Sequence, residues 1–504
     1  MASNWGMVHA HSIAVSGMRR VVYHRGRSPR WLEDLERIQL PGLLSFAFVL
    51  AISSVRFLLE DALNTYGVTG IALLSIWVDQ SGFYLLVFAL FLVAEKFLLG
   101  RASPLPIMMG LVLALLPPIL DAALGNTPRY SYAEPTLFFT HPSLPVGELA
   151  AIYSAIVMFG IYVAVSKGNV LYFIPGVLSA WAIGQVVGSV HPYWIVVPVS
   201  DALMPLASRQ VVTPLSLVYS TAFVTKAMIA LAALAIIDQQ FGAFVRYRFS
   251  RALLCVSLCM FSVSVFRPGA EAALLLTAVA VTSTLLAFMI NTKGDEPEDR
   301  ANGRPEFRIS LLSWSYTAFL LVSFLVVAHR LDIPWHAGVA AIPLAWLYGV
   351  PFQFKRIFPL AYVIEGIALS SIFLSFAMTR NLPSAHLMSV LAVCFVVFAV
   401  GSIVKDYKDV EGDKAAGVPT AFTLLGVHGE RFWVVFRVLL VIGPVGFMML
   451  ESPRVGGVQY AVHALFAPLA AGVLFRSGLG KERLVNGYLV VFSLWLLASA
   501  AANL

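Results

Sequence analysis

The chain has 504 residues, is 59% hydrophobic and only 12% charged, and has a mean hydropathy of +0.83. Apolar runs of about 17 to 23 residues recur, each long enough to cross a hydrocarbon core of roughly 30 Å as a helix, which excludes an ordinary soluble domain and a barrel of short alternating strands. The formal charge of +7 points to the basic cytoplasmic loops of an all-α polytopic membrane protein rather than to nucleic acid.

Residues 1–41 carry Arg19, Arg20, Arg25, Arg27, Arg30 and Arg37 before any long apolar run, too extended and too charged for a cleavable signal. They read as a cytoplasmic basic tail. A front membrane part of about six helices follows over residues 42–240, with spans predicted at 42–62, 82–98, 106–124, 148–166, 170–190 and 215–237. The short apolar stretch 70–78 reads as a re-entrant or surface segment. Glu60, Asp61, Asp121, Glu148, His191 and Asp201 fall near span ends, where interfacial solvation accounts for them, while Lys226 lies deeper, placed to snorkel or to pair. Nothing in the front part identifies its role.

The basic stretch Arg246, Arg248 and Arg251 marks a boundary. Beyond it, residues 246–504 hold nine predicted spans: 252–266, 272–290, 309–328, 337–352, 358–378, 387–404, 432–450, 458–475 and 484–501. With the N-terminus inside, the clustered cations, including the 293–308 loop, Lys355 and Arg356, and 405–414, all fall on the cytoplasmic side. The other side receives mostly isolated arginines. Cys255, Cys259 and Cys394 sit within apolar runs and read as small hydrophobes, not as a disulfide or zinc framework.

Two acidic clusters share the cytoplasmic side. In "NTKGDEPEDRANGRP", Asn291, Asp295 and Asp299 are four apart; in "VKDYKDVEGDKAAGVPT", Asp406, Asp409 and Asp413 are three and four apart. On helices continuing from the preceding spans, each set occupies one face. Like charges at that spacing repel beside a low-dielectric core, so a cation must offset them. Magnesium suits a few carboxylates shared with substrate phosphates, and Arg300, Arg304, Lys405 and Lys408 suit the phosphate oxygens left uncovered. Glu365 is an ionisable group inside a span, which lines a cavity or finds a structural partner.

These residues resemble the two aspartate-rich motifs of the UbiA superfamily of intramembrane prenyltransferases. "DVEGDKAAGVPT" followed by "LLG" is similar to the second-motif stretch, and "NGRP" to the tail of the first. "LYGVPFQFKR", residues 347–356, resembles the family's tyrosine-to-lysine segment at the end of its fourth helix. Thr292 stands where many members carry a further aspartate. The resemblance covers about residues 246–504 and implies a nine-helix bundle preceded by about six extra helices. It also implies Mg2+-dependent transfer of an isoprenoid from a prenyl diphosphate to a lipophilic acceptor in the membrane. Asn291, Asp295, Asp299, Asp406, Asp409 and Asp413 would then hold metal and diphosphate, and Lys355 would contact the diphosphate with Tyr348 close by. Arg300, Arg304, Arg356 and Lys405 are second-line candidates for the diphosphate, with the ordinary positive-inside charge of cytoplasmic loops as the alternative. A terpene cyclase of the same fold, a cation-coupled transporter and a non-catalytic relative are the competing readings.

Overall fold

The computed structural model describes residues 42–64, 70–125, 146–189, 214–294, 299–300, 303–349, 352–380, 384–451 and 457–503. Every regular element among them is helical. The front part comprises α1 (Gly42–Asn64), α2 (Ile71–Leu99), α3 (Pro104–Leu111), α4 (Leu116–Ala123), α5 (Val146–Lys167), α6 (Phe173–Ser189) and α7 (Pro214–Ile237). A 3-10 turn, Val112–Leu115, joins α3 and α4 into one crossing. A short α8 (Gln239–Tyr247) leads into α9 (Phe249–Phe266), α10 (Ala270–Gly294), α11 (Leu311–Arg330), α12 (Ala341–Tyr348), α13 (Leu360–Ala377) and α14 (Ser384–Ala416). After α15 (Ala421–Leu425) come α16 (Gly429–Glu451), α17 (Gly457–Leu474) and α18 (Lys481–Asn503). Among the described residues, then, six crossings precede a nine-helix bundle, as the apolar runs predict. Eleven of these helices are long and apolar enough to cross a membrane.

Two expectations for the front part need correction. The stretch 70–78 is not a separate re-entrant segment but opens α2, which runs unbroken to Leu99. Asp79 and Gln80, which interrupt the apolar run in sequence, are paired within the protein: Lys226 Nζ lies 2.9 Å from Asp79, and Gln80 donates to Glu60 at 3.1 Å. The deep lysine therefore pairs rather than snorkels. Three of the acids near span ends are not solvated either. Glu60, Asp121 and Glu148 are buried at 5%, 0% and 6% exposure. Arg56 bridges Glu60 at 2.6 Å and Glu148 at 2.8 Å, and the Gly147 amide donates to Asp121 at 2.8 Å, so an interior network satisfies charges that would otherwise be costly in a membrane. His191 and Asp201 lie outside the described residues, as do the basic tail and the side chain of Asp61.

The front helices dock on the bundle through α11. Phe46 and Trp77 meet Phe319 edge-on, Phe223 meets Phe324, and Arg330 donates to Ser75 at 2.6 Å. Asp238 is the polar joint. Its Oδ1 caps α8 by accepting from the Gln240 and Phe241 amides, while its Oδ2 accepts from the Ser310 amide at 3.0 Å and the Ser313 hydroxyl at 2.8 Å. Burial opposes its charge, but these hydrogen bonds win and hold the carboxyl below its ordinary range. Replacing Asp238 with Ala is expected to cost about 2 kcal/mol in detergent-solubilised thermal unfolding. Because the folded value is depressed, this stabilisation is complete above the unfolded carboxylate range near ~4 and fades as pH falls through the folded value.

Within the bundle α9 packs along α18 and α13 along α14. The second contact is close because residue 366 is Gly: a Cβ there would stand 2.9 Å from the Ala399 Cβ and 3.1 Å from the Phe395 ring. Cys255 and Cys259 are buried free thiols, as predicted, while the side chain of Cys394 is outside the described residues.

Candidate active site

The second acidic motif is set on a helix that outruns its membrane span: α14 continues through Asp406, Asp409 and Asp413 to Ala416. Its back face is pinned by aromatics. Tyr407 stacks on Trp433 at 4.0 Å and 14°, with Phe422 against both rings. Tyr407 is directed there, so the helical period turns the three aspartates toward the bundle interior, where all three line one cavity of about 510 Å³.

The first motif meets them in that cavity. Asn291 projects from the last turns of α10, and Asp299 from a helical turn beyond it. Asp295 lies outside the described residues. The two motifs, far apart in sequence, are joined by one side chain: Arg304 Nη1 lies 2.9 Å from Asp299 Oδ1, and its Nη2 contacts Asp409 Oδ1. Lys408 Nζ donates to the same Asp409 oxygen at 2.8 Å. Burial, followed by the charges of Arg251 and Arg304, pushes the Lys408 ammonium down to about 6. Arg304, which reaches both motifs with one planar fork, is the central cation here.

Lys355 and Tyr348 also line the cavity. Gln353 in a left-handed conformation (φ 52°) reverses the chain before the 3-10 turn Phe354–Arg356, which turns Lys355 inward and leaves Arg356 exposed, away from the cavity. Arg300 likewise faces outward and pairs with Glu306 at 2.9 Å on the surface. The side chain of Lys405 is outside the described residues. Glu365 faces the cavity.

Three lining residues were not singled out by sequence. Tyr362 donates to Asp406 and accepts from the Ala421 amide at 2.8 Å, tying α13, α14 and α15 together. Its spacing of three from Glu365 places both on one helix face, which is the signal that could have found it. Arg248 and Arg251 read as boundary charges in sequence, yet both line the cavity and flank the Phe288 ring at 5.8 and 5.9 Å. Arg248 also lies 3.4 Å from Thr292.

Beyond this polar end the walls become apolar, formed by Leu254, Ala287, Leu344, Ile372, Phe436 and Leu489. The donor set fits magnesium. Asn291 Oδ1 is buried with no hydrogen-bond partner, an unused oxygen donor on a residue that lines the same cavity as Asp299, Asp406, Asp409 and Asp413. Among the described residues no three acidic, histidine or cysteine side chains stand close enough to grip an ion by themselves. Arg304 holds Asp299 and Asp409 instead, and Lys408 also donates to Asp409.

The bundle thus encloses one chamber with an acidic and basic rim at one end and apolar walls beyond it, which suits a molecule with a charged head and an apolar tail. Residues 252–497 match the UbiA prenyltransferase family, and the front part lies outside the match. No curated protein and no solved structure matches the chain.

Proposed function

We propose that the protein transfers an isoprenoid chain from a prenyl diphosphate to a lipophilic acceptor within the membrane, in a Mg2+-dependent reaction. The observation that carries this reading is the single cavity in which both acidic motifs, Lys355, Arg248 and Arg251 face one another at the mouth of an apolar chamber. The family match supports it. The diphosphate head belongs at the polar end and the hydrocarbon tail among Leu254, Ile372, Phe436 and Leu489. Asn291, Asp295, Asp299, Asp406, Asp409 and Asp413 would hold Mg2+, whose Lewis acidity would stabilise the departing diphosphate.

The protein's own groups supply the rest. Lys355, Arg248 and Arg251 direct positive charge at the phosphate oxygens as the allylic C–O bond breaks. The apolar walls keep water from the carbocation, and the aromatic residues Phe288, Phe398 and Phe492 line the same chamber. Tyr362 fixes the Asp406 carboxylate, and Glu365, one turn deeper on α13, is placed to accept the proton that the attacked acceptor loses. Residues 42–240 form a separate unit in this reading, docked on α10 and α11 away from the chemistry.

The reading is tested with purified protein, Mg2+, labelled prenyl diphosphates of several lengths and a membrane lipid extract. A labelled lipid that requires both Mg2+ and the extract is the expected result. Equal diphosphate release without the extract would indicate cyclisation or hydrolysis, and turnover indifferent to Mg2+ would contradict the proposal. In sealed vesicles, added prenyl diphosphate should be consumed only in the inside-out population, as the charge distribution of the loops implies.

A further inference from the structure

Arg304 stands on a turn built to return it to the first motif. The Arg304 amide donates to the Asp299 carbonyl at 2.9 Å, and Gly303 takes the left-handed conformation (φ 65°) that the reversal demands. The guanidinium then spans Asp299 and Asp409, and Asp409 Oδ1 receives both Arg304 and Lys408. These are the oxygens that a hard divalent cation would need. A metal ion arriving alone must displace the guanidinium, whose side chain is only 13% exposed, and leave it without its carboxylates in a low-dielectric site. A diphosphate removes that obstacle, because the fork of Arg304 can pass from carboxylate to phosphate oxygens with its pairing intact.

We propose that Arg304 is a resident counter-cation that holds the two acidic motifs together and makes Mg2+ and diphosphate binding mutually dependent, so that the metal enters with the diphosphate rather than ahead of it. This rests on the functional reading above. It differs from a purely structural staple in one respect: removing Arg304 should strengthen the binding of metal alone while weakening the cooperation between metal and diphosphate. Coupling of this kind is reciprocal, so either ligand can report it.

The test is Mn2+ binding, followed by electron paramagnetic resonance, to the purified full-length protein with and without inorganic pyrophosphate. In the unaltered protein pyrophosphate should tighten Mn2+ binding at least ~10-fold, within the usual range of such couplings. In Arg304→Gln, Mn2+ alone should bind at least ~10-fold more tightly than in the unaltered protein, and the enhancement by pyrophosphate should shrink below ~3-fold. Arg304→Lys keeps the charge without the fork, spans one carboxylate at a time, and should fall between the two. It also serves as the folded control if the Gln variant unfolds. Unchanged or weaker binding of Mn2+ alone in both variants, with coupling intact, would overturn the role of Arg304. Failure of the unaltered protein to bind Mn2+ and pyrophosphate together would instead overturn the functional reading itself.

Discussion

Replacing Asp409 with Asn is expected to lower kcat/KM by about 1,000-fold, equivalent to ~4 kcal/mol of transition-state stabilisation. Asp409 sits where every part of the site converges: it lines the cavity, it is bridged through Arg304 to Asp299, and Lys408 donates to it. The amide is nearly isosteric, so the fold is expected to persist. It nevertheless removes the charge that would hold a metal ion, and it puts an N–H group where a second acceptor oxygen stood. The loss should appear in kcat as well as in KM, since the charge matters most when the diphosphate departs. Single-turnover assays with labelled prenyl diphosphate measure it. An activity within threefold of the unaltered protein would remove Asp409 from the site.

Lys355→Met is expected to lower kcat by about 100-fold with a smaller change in KM. Lys355 is buried at 5% exposure on the cavity wall, and a methionine retains its apolar reach while deleting the ammonium. A cation in that position is worth most as negative charge accumulates on the leaving group, in surroundings of low dielectric. Arg356, its exposed neighbour, provides the internal control: Arg356→Met should leave the rate within about twofold, because it lies away from the cavity. Equal effects at both positions would show that overall charge, and not the inward position of Lys355, matters.

What could be read from the sequence follows from the range over which each signal acts. The six-plus-nine arrangement was legible because membrane crossing is a property of one apolar run at a time. The aspartates of the second motif were legible because Asp406, Asp409 and Asp413 lie on one continuous helix, α14, whose period fixes their common face. What was hidden depends on contacts between distant residues. The burial of Glu60, Asp121 and Glu148 needs Arg56 and the Gly147 amide, and no local pattern reveals that partnership. Arg300 and Arg304 look equivalent in sequence, yet one pairs with Glu306 on the surface and the other bridges the motifs. Arg248 and Arg251 read only as a basic stretch marking a boundary, because their place in the cavity lining arises when α9 is packed beside α10.

The most direct measurement is a double-mutant cycle on pyrophosphate affinity in the presence of Mg2+, using Asp299→Asn, Asp409→Asn and the pair, followed by calorimetry. If the two motifs hold one metal-bound diphosphate between them, either substitution alone dismantles the site, and the double variant should lose barely more than the worse single one. The interaction energy should then be at least ~1.5 kcal/mol. Losses that add to within ~0.5 kcal/mol would mean that the two residues act independently, which contradicts a joint site.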